Sequence, residues 1–440
     1  QIRLLHFHRS TPMAPPGCIQ AAPPEQPALQ DELLEEILLR LAAPADLARA
    51  STACPTLRRV ITDHSFLRLF RTLHPPPLLG IISASFRPAQ HPHPSAAAAR
   101  ALAAAEVDFR CSFLPSVERW RRRDFRDGRA LFSGVPEGSS YAPGDYKRGD
   151  FAREFAVCDP LYRRYILLPA IPDELAMLVH QPDILNFEPF LAPPGDDEDA
   201  ASFRVMCLAQ CTTKLVLFGF SSGAGGWRAV TFDGWITLMT SPGYQPPASH
   251  LTWASGRYYA HKCFCWAVYP SDRLLMLDTR TMEFSAVDLP CQHVPGQMIP
   301  IMACQRVPGQ MIPIMAFVEA GEGRLGMFTL VSRIDNDKYY LHYTKLQKDG
   351  DGANKWQSVA VISLPLRYRY TIMGVAGGYL LLQGIPEDLH SAPLPEWPDL
   401  DCFSLNLQTL QLEWFCANKH MIVSAPLYAG LPPSLTPPTV

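Results

Sequence analysis

Three short stretches carry residues whose types and spacing suit chemistry. The first is GFSSG at 219–223, which matches the G-x-S-x-G elbow that holds a serine nucleophile between a strand and a helix. KLVLF at 214–218 supplies a strand ahead of it, so Ser221 defines a candidate serine hydrolase. The next residues, AGGWRAVTF, are glycine-rich and then strand-like, whereas the elbow needs a helix to aim Ser221 and to lend an oxyanion N–H. A hairpin turn is the better reading. The second stretch, HKCFC at 261–265, would place His261, Cys263 and Cys265 on one face of a strand. A zinc site needs a fourth ligand or an open position, and no partner pair is evident, so a buried strand face is preferred and no metal or cofactor is expected. The third, WRRRDFRDGR at 120–129, is the most basic part of the chain. Two Asp interrupt it and no second basic cluster supports it, so a solvated strand edge or ion pairs between neighbouring elements are expected rather than nucleic-acid binding.

The elements that must position these residues are mostly strands. The chain has 440 residues, 48% of them apolar and 18% charged, with a formal net charge of −3 and 43 Pro. The length points to a large domain plus a small one, and the charge gives no basic face for a polyanion. Beyond about residue 107, short apolar runs such as YILLPAIP, KLVLFGF, RLLMLD and GGYLLLQGIP alternate with turn signals, which reads as a large all-β domain over 107–430. Twelve Cys are scattered with no CxxC pair, as expected for an intracellular chain (cytoplasm, nucleus or both) without a disulfide frame. No run is long and apolar enough to predict a membrane span or a signal peptide, so neither membrane binding nor secretion is expected. Met13 before Ala-Pro-Pro reads as a start, which makes residues 1–28 a disordered leader; 431–440 reads as a tail, and 74–106, with HPHP at 91–94 and an alanine run, as a linker.

Residues 29–73 are helical in pattern. Leu29, Leu33, Leu34, Ile37, Leu38 and Leu41 form one broad apolar stripe, with Asp31, Glu32, Glu35 and Glu36 toward the end where the helix dipole favours negative charge. Pro44 and Pro55 stop one helix and start the next. Leu47, Ala50 and Cys54 mark the second helix, and Leu57, Val60 and Ile61 the third. Asp63 is placed to cap a fourth, with Phe66, Phe70 and Leu73 on one face. Helices this short bury only part of such a stripe among themselves, so some of it should face a partner.

Two kinds of repetition stand out. VCDPLYRRYILLP (157–169), MLDTRTMEFSAVDLP (276–290) and SLNLQTLQLEWF (404–415) each end a strand in Asp or Asn, turn, and start a second strand. Asp159, Asp278 and Asn406 are 119 and 128 residues apart, room for about three propeller blades of the usual 40–50 residues per gap. Separately, CQHVPGQMIPIMA (291–303) adjoins CQRVPGQMIPIMA (304–316). One copy is expected to form a blade strand and the other a loop or a shifted strand.

The stretch 29–73 resembles an F-box, the helical module that docks on a Skp-family adaptor in cullin-RING ubiquitin ligases. The matching residues run from Leu29, Asp31, Glu32, Leu33, Leu34, Ile37, Leu38, Arg40 and Leu41 through Asp46, Leu47, Ala50 and Cys54 to Val60, Ile61 and Phe66. Gln30 stands where the family usually has Pro, and Leu57 where it usually has Trp; both bear on adaptor affinity more than on the fold. HPPPLLGII after the module, RRDFRDGRALF, VCDPLYRRYILLPAIP and LLMLDTRTMEFSAVDLP resemble the β-propeller associated with plant F-box proteins. The resemblance implies a small all-α F-box followed by a β-propeller, with adaptor-binding residues Leu29, Leu33, Leu34, Ile37, Leu38, Leu41, Leu47, Cys54 and Leu57. It further implies a non-catalytic subunit that recruits an unknown protein substrate for ubiquitination. The alternatives are a propeller binding module whose F-box no longer docks, and the hydrolase at Ser221.

Overall fold

The structure is a computed structural model. It describes residues 30–41, 44–74, 76–83, 85–135, 151–195, 202–240, 251–253, 256–269, 271–290, 292–294, 297–299, 304–307, 310–321, 323–333, 338–348, 354–387, 399–418 and 426–430. The chain divides into two compact units, 1–74 and 75–440. The expected leader, the tail and Leu29 lie outside the described residues.

Among the described residues the first unit holds four helices: α1 (Asp31–Leu39), α2 (Pro44–Ala53), α3 (Pro55–Ile61) and α4 (His64–Leu73). Pro44 and Pro55 open α2 and α3, where a missing N–H costs nothing. The Cys54 Sγ accepts from Leu57 N at 3.4 Å to cap α3, and Asp63 Oδ1 accepts from Ser65 N (2.8 Å) and Phe66 N (3.2 Å) to cap α4. Leu38, Leu47, Val60, Ile61, Phe66 and Phe70 form the core. Asp31 of α1 pairs with Arg59 of α3 at 2.7 Å, and the hydrogen bond holds the Asp31 carboxyl below its usual range.

The second unit is a ring of six antiparallel sheets. Blade one is β3 (Trp120–Arg126), β4 (Arg129–Gly134), β5 (Phe155–Asp159) and β6 (Arg164–Leu167). Blade two is β7 (Ile184–Ala192), β8 (Arg204–Cys211), β9 (Leu215–Ser221) and β10 (Gly226–Phe232). In blade three, β11 (Thr252–Trp253) and β12 (Tyr258–Ala260) share the inner edge of β13 (Cys263–Tyr269), followed by β14 (Arg273–Asp278) and β15 (Phe284–Asp288). Blade four is β20 (Met315–Glu319), β21 (Leu325–Arg333), β22 (Lys338–Lys348) and β23 (Asn354–Ser363); blade five is β24 (Tyr368–Ala376), β25 (Tyr379–Pro386), β26 (Leu400–Asn406) and β27 (Leu412–Asn418). Blade six joins the ends of the unit: β28 (Leu427–Ala429) pairs with β1 (Leu78–Ile82), which pairs with β2 (Phe86–Pro88). The inner strands touch in order, β28 against β3, β3 against β7, β12 against β20, β20 against β24 and β24 against β28. Phe190 of β7 packs on Phe264 of β13, ring centroids 4.7 Å apart, and completes the circle. This is a six-bladed β-propeller.

Burial follows from the layers. β1, β5 and most of β8 are covered on both faces and read as unbroken apolar runs, while the outer strands β10 and β23 alternate. Residues 74–106 differ from the expected linker. They carry β1, β2 and the helix α5 (Ala96–Ala104), and Leu78, Ile81, Ala99 and Leu102 enter the core shared with blades one and five. His93 of the HPHP stretch is buried, edge-on to Phe415 at 4.9 Å, rather than free. Alanine and proline are poor compositional guides here because small residues let a connecting segment lie close against a sheet.

Within the two 13-residue copies, β16 (Gln292–Val294) pairs with β17 (Gln297–Ile299), and β18 (Cys304–Val307) with β19 (Gln310–Pro313), each as a hairpin. The second copy then runs into β20. Among the described residues no helix is long and apolar enough to cross a membrane.

Candidate functional site

On α1 the apolar stripe splits into two arcs. Leu38 is 4% exposed, and Leu34 and Leu41 pack partly buried on the same core. Leu33 and Ile37, one turn apart, are 47% and 51% exposed. Leu47 lies in the core at 5%, Leu57 packs half-buried against it, and Cys54 serves as a cap. Of the residues expected to bind an adaptor, Leu38 and Leu47 lie in the core with Phe66 and Phe70. On α4, Leu69 and Leu73 are half-exposed, again one turn apart. Leu73 does not share the buried face of Phe66 and Phe70. Leu69 escapes the sequence reading, although its i, i+4 spacing to Leu73 is legible there. The ends of α1 and α4 are tied by His74 Nε2 and Leu39 O at 2.6 Å. Gln30 caps α1 with no side-chain hydrogen bond.

In the propeller, the inner strands of the first three blades meet in a charged cluster. Arg257 bonds to Asp124 Oδ2 at 2.7 Å and also pairs with Glu188 Oε1, while Glu188 Oε2 accepts from Trp266 Nε1 at 2.8 Å. Leu191 N donates to Asp124 Oδ2 at 2.8 Å, and the Arg257 guanidinium lies 4.2 Å from the centroid of Phe190. The basic stretch 120–129 is thus an inner strand whose charges bridge blades, the second of its two expected readings. Trp227 and Trp356 extend the pattern outward, donating to Pro169 O (2.7 Å) and Asp288 O (2.8 Å) of the preceding blade.

The three recurring phrases share one turn. Asp159 Oδ1 accepts from Leu161 N and Tyr162 N, Asp278 Oδ1 from Arg280 N and Thr281 N, and Asn406 Oδ1 from Gln408 N and Thr409 N, at 2.7–3.2 Å. Four residues on, Arg163, Met282 and Leu410 each take the left-handed conformation. These are the third strands of blades one, three and five, so each gap spans two blades rather than three: connections lengthen a blade to about 60 residues, beyond the usual repeat length. Ser221 heads the same kind of turn in blade two. Gly225 N donates to Ser221 O at 2.9 Å, Gly225 is left-handed, and β10 comes next instead of a helix. The elbow pattern in GFSSG is a hairpin. In HKCFC, His261 is exposed, Cys263 half-buried and Cys265 buried; no group of three metal-type ligands occurs among the described residues.

No protein-family model matches the sequence, and no curated protein matches it significantly. Three solved structures illustrate the likeness. The N-terminal domain of Nup159 is 10% identical, covering 71% of this chain and 61% of that one, with a TM-score of 0.26. The GH32 β-fructofuranosidase of Bombyx mori is 11% identical over 67% of this chain and 61% of its own, at 0.29. An α-L-arabinanase of Penicillium chrysogenum is 11% identical over 73% and 85%, at 0.31. The match spans about three fifths of the length of the first two. At such scores the likeness carries no argument about this chain; the propeller rests on the strand pairing itself.

Proposed function

We propose that this chain is a non-catalytic recruiting subunit: the helical unit docks on a Skp-family adaptor of a cullin-RING ligase, and the propeller binds the protein to be modified. The observation that carries the reading is the split stripe on α1, where Leu33 and Ile37 stay half-exposed while Leu38, one residue on, is core. Apolar pairs held out by a small unit whose core is already formed are the usual mark of a partner surface. The mechanism is tethering. Holding a conjugating enzyme and a substrate on one scaffold raises their effective concentration, and no side chain need react. Co-purification with a Skp-family adaptor tests it: wild type should retain the adaptor, and the Leu33→Asp, Ile37→Asp double variant should lose it. Equal recovery from both would end the ligase reading.

A second reading, a propeller binding module whose helical unit no longer docks, is favoured by the uncapped start of α1 at Gln30 and by Leu57, which spends part of its surface on the core. A hydrolase at Ser221 finds no support in a serine that heads a hairpin turn.

A further inference from the structure

Two arginines lie against one ring. Phe264 of β13 is fully buried, and the guanidinium groups of Arg257 and Arg126 are 5.6 Å and 5.4 Å from its centroid. Arg257 is neutralised twice over, by Asp124 and Glu188. Arg126 is not. It ends β3, two residues beyond Asp124 and so on the same face of the strand. From blade one it reaches blade three, where its guanidinium also lies 4.9 Å from the centroid of Tyr259 on β12. Among the described residues it makes no ion pair and no side-chain hydrogen bond. The residue is half-buried, and its Nε is buried without a partner. Neither Nη atom is buried in that way, so the outer edge of the guanidinium keeps contact with solvent. The neighbouring groups are already engaged. Arg129, opposite Arg126 in the β3–β4 register, donates to Ser202 O at 2.9 Å, and Arg204 donates to Pro193 O (2.8 Å) and Thr279 O (3.4 Å). Of the acids at these strand ends, Asp127 is exposed in the left-handed turn after β3, and Asp278 Oδ1 is taken by two backbone N–H groups. Aromatic faces orient a guanidinium, but they do not neutralise it as a carboxylate does.

We propose that Arg126 anchors an acidic peptide of the protein held by the propeller, with an Asp or Glu side chain of that peptide taking the open Nη edge as an ion pair. A guanidinium stacked on two rings is pre-oriented for a planar carboxylate, so little freedom is lost when the pair forms. One unmatched cation suits a singly charged group. A phosphate carries nearly twice that charge and three acceptor oxygens, while Arg129 and Arg204 already spend donors on carbonyls. Such an anchor presupposes that the propeller is the substrate-holding unit, and it adds the chemistry which that unit reads.

The test immobilises the full chain without adaptor and offers it capped peptide libraries, random in neutral residues around a central Glu, Gln or phosphoserine. Retained peptide is quantified by mass spectrometry. Wild type should hold the Glu library roughly tenfold better than the Gln library, the low end for a hydrogen bond to a charged group, and better than the phosphoserine library. Arg126→Met should abolish that preference and leave the urea midpoint unchanged or raised, since no anion is stranded, whereas Arg257→Gln should lower the midpoint. The Leu33→Asp, Ile37→Asp variant should keep the preference, so a failed anchor and a failed adaptor contact are told apart. Equal retention of Glu and Gln by wild type overturns the anchor without recourse to any variant. So does phosphoserine held above Glu, or a Glu preference that survives in Arg126→Met. A fall in the Arg126→Met midpoint to match Arg257→Gln also overturns it, because Arg126 would then be paired within the fold.

Discussion

Replacing Leu33 and Ile37 together by alanine should separate docking from folding. The two side chains are 47% and 51% exposed, so a partner can still cover about half of each. Complete burial of a Leu or Ile is worth about 1.5–3 kcal/mol, which leaves about 1 kcal/mol per residue, or ~2 kcal/mol for the pair. That corresponds to roughly a 30-fold rise in Kd for the adaptor. The helical unit itself should lose no more than about 1 kcal/mol, since much of the covered half lies on α1's own turns. Leu38→Ala is the contrast: at 4% exposure it should cost about 2–5 kcal/mol and remove binding by unfolding the unit. All eight tryptophans lie beyond residue 75, so tryptophan fluorescence reads only the propeller and should stay unchanged in every variant. Calorimetric titration with purified adaptor, beside helical circular dichroism, gives the answer. Unchanged affinity in the double alanine variant refutes the surface. Parallel loss of affinity and helicity refutes the division of the stripe into exposed and core arcs.

Three more outcomes are expected of the propeller. His93 is buried with Nδ1 accepting from Ser95 N, and desolvation lowers its pKa from 6.5 to about 4; the unfolded chain binds the extra proton first, so urea melts should show stability falling between pH 6.5 and 4, by on the order of 3 kcal/mol, and His93→Phe should flatten that window. Arg257→Gln leaves Asp124 and Glu188 without their cation and should cost about 3–5 kcal/mol in the same melts, whereas a loss under about 1 kcal/mol would mean that the cluster does not hold the inner strands. Burial works to raise the Asp278 carboxyl, but the backbone donors Arg280 N and Thr281 N outweigh it, so the stability it lends is present above about pH 4 and lost on further acidification; Asp278→Asn, which copies Asn406, should weaken that acid loss while keeping the turn, and Asp278→Ala should lower stability at pH 7 by about 1 kcal/mol.

The features legible in the sequence were local. Pro44, Pro55 and Asp63 set helix starts because a missing N–H or a capping carboxylate acts within one turn, and the apolar runs announced strands through their own spacing. Asp159, Asp278 and Asn406 revealed a shared turn for the same reason: the acceptor and its donors are two or three residues apart. The count of blades between them was not local, and the usual repeat length misjudged it. Nor was the linker, where β1 owes its strand to Leu427–Ala429, some 350 residues away, and composition holds no record of that partner.

The candidate site divides the same way. Sequence alone determined that α1 carries more leucine than its own unit needs, because a 3.6-residue period fixes which side chains share a face. Only the tertiary structure decided that Leu38 and Leu47 are core while Leu33 and Ile37 stay exposed, since that depends on where α3 and α4 pack. It likewise decided that Asp124, Glu188 and Arg257 converge. Charges so far apart in the chain are brought within bonding distance by closure of the ring, which a sequence pattern does not encode at any single position.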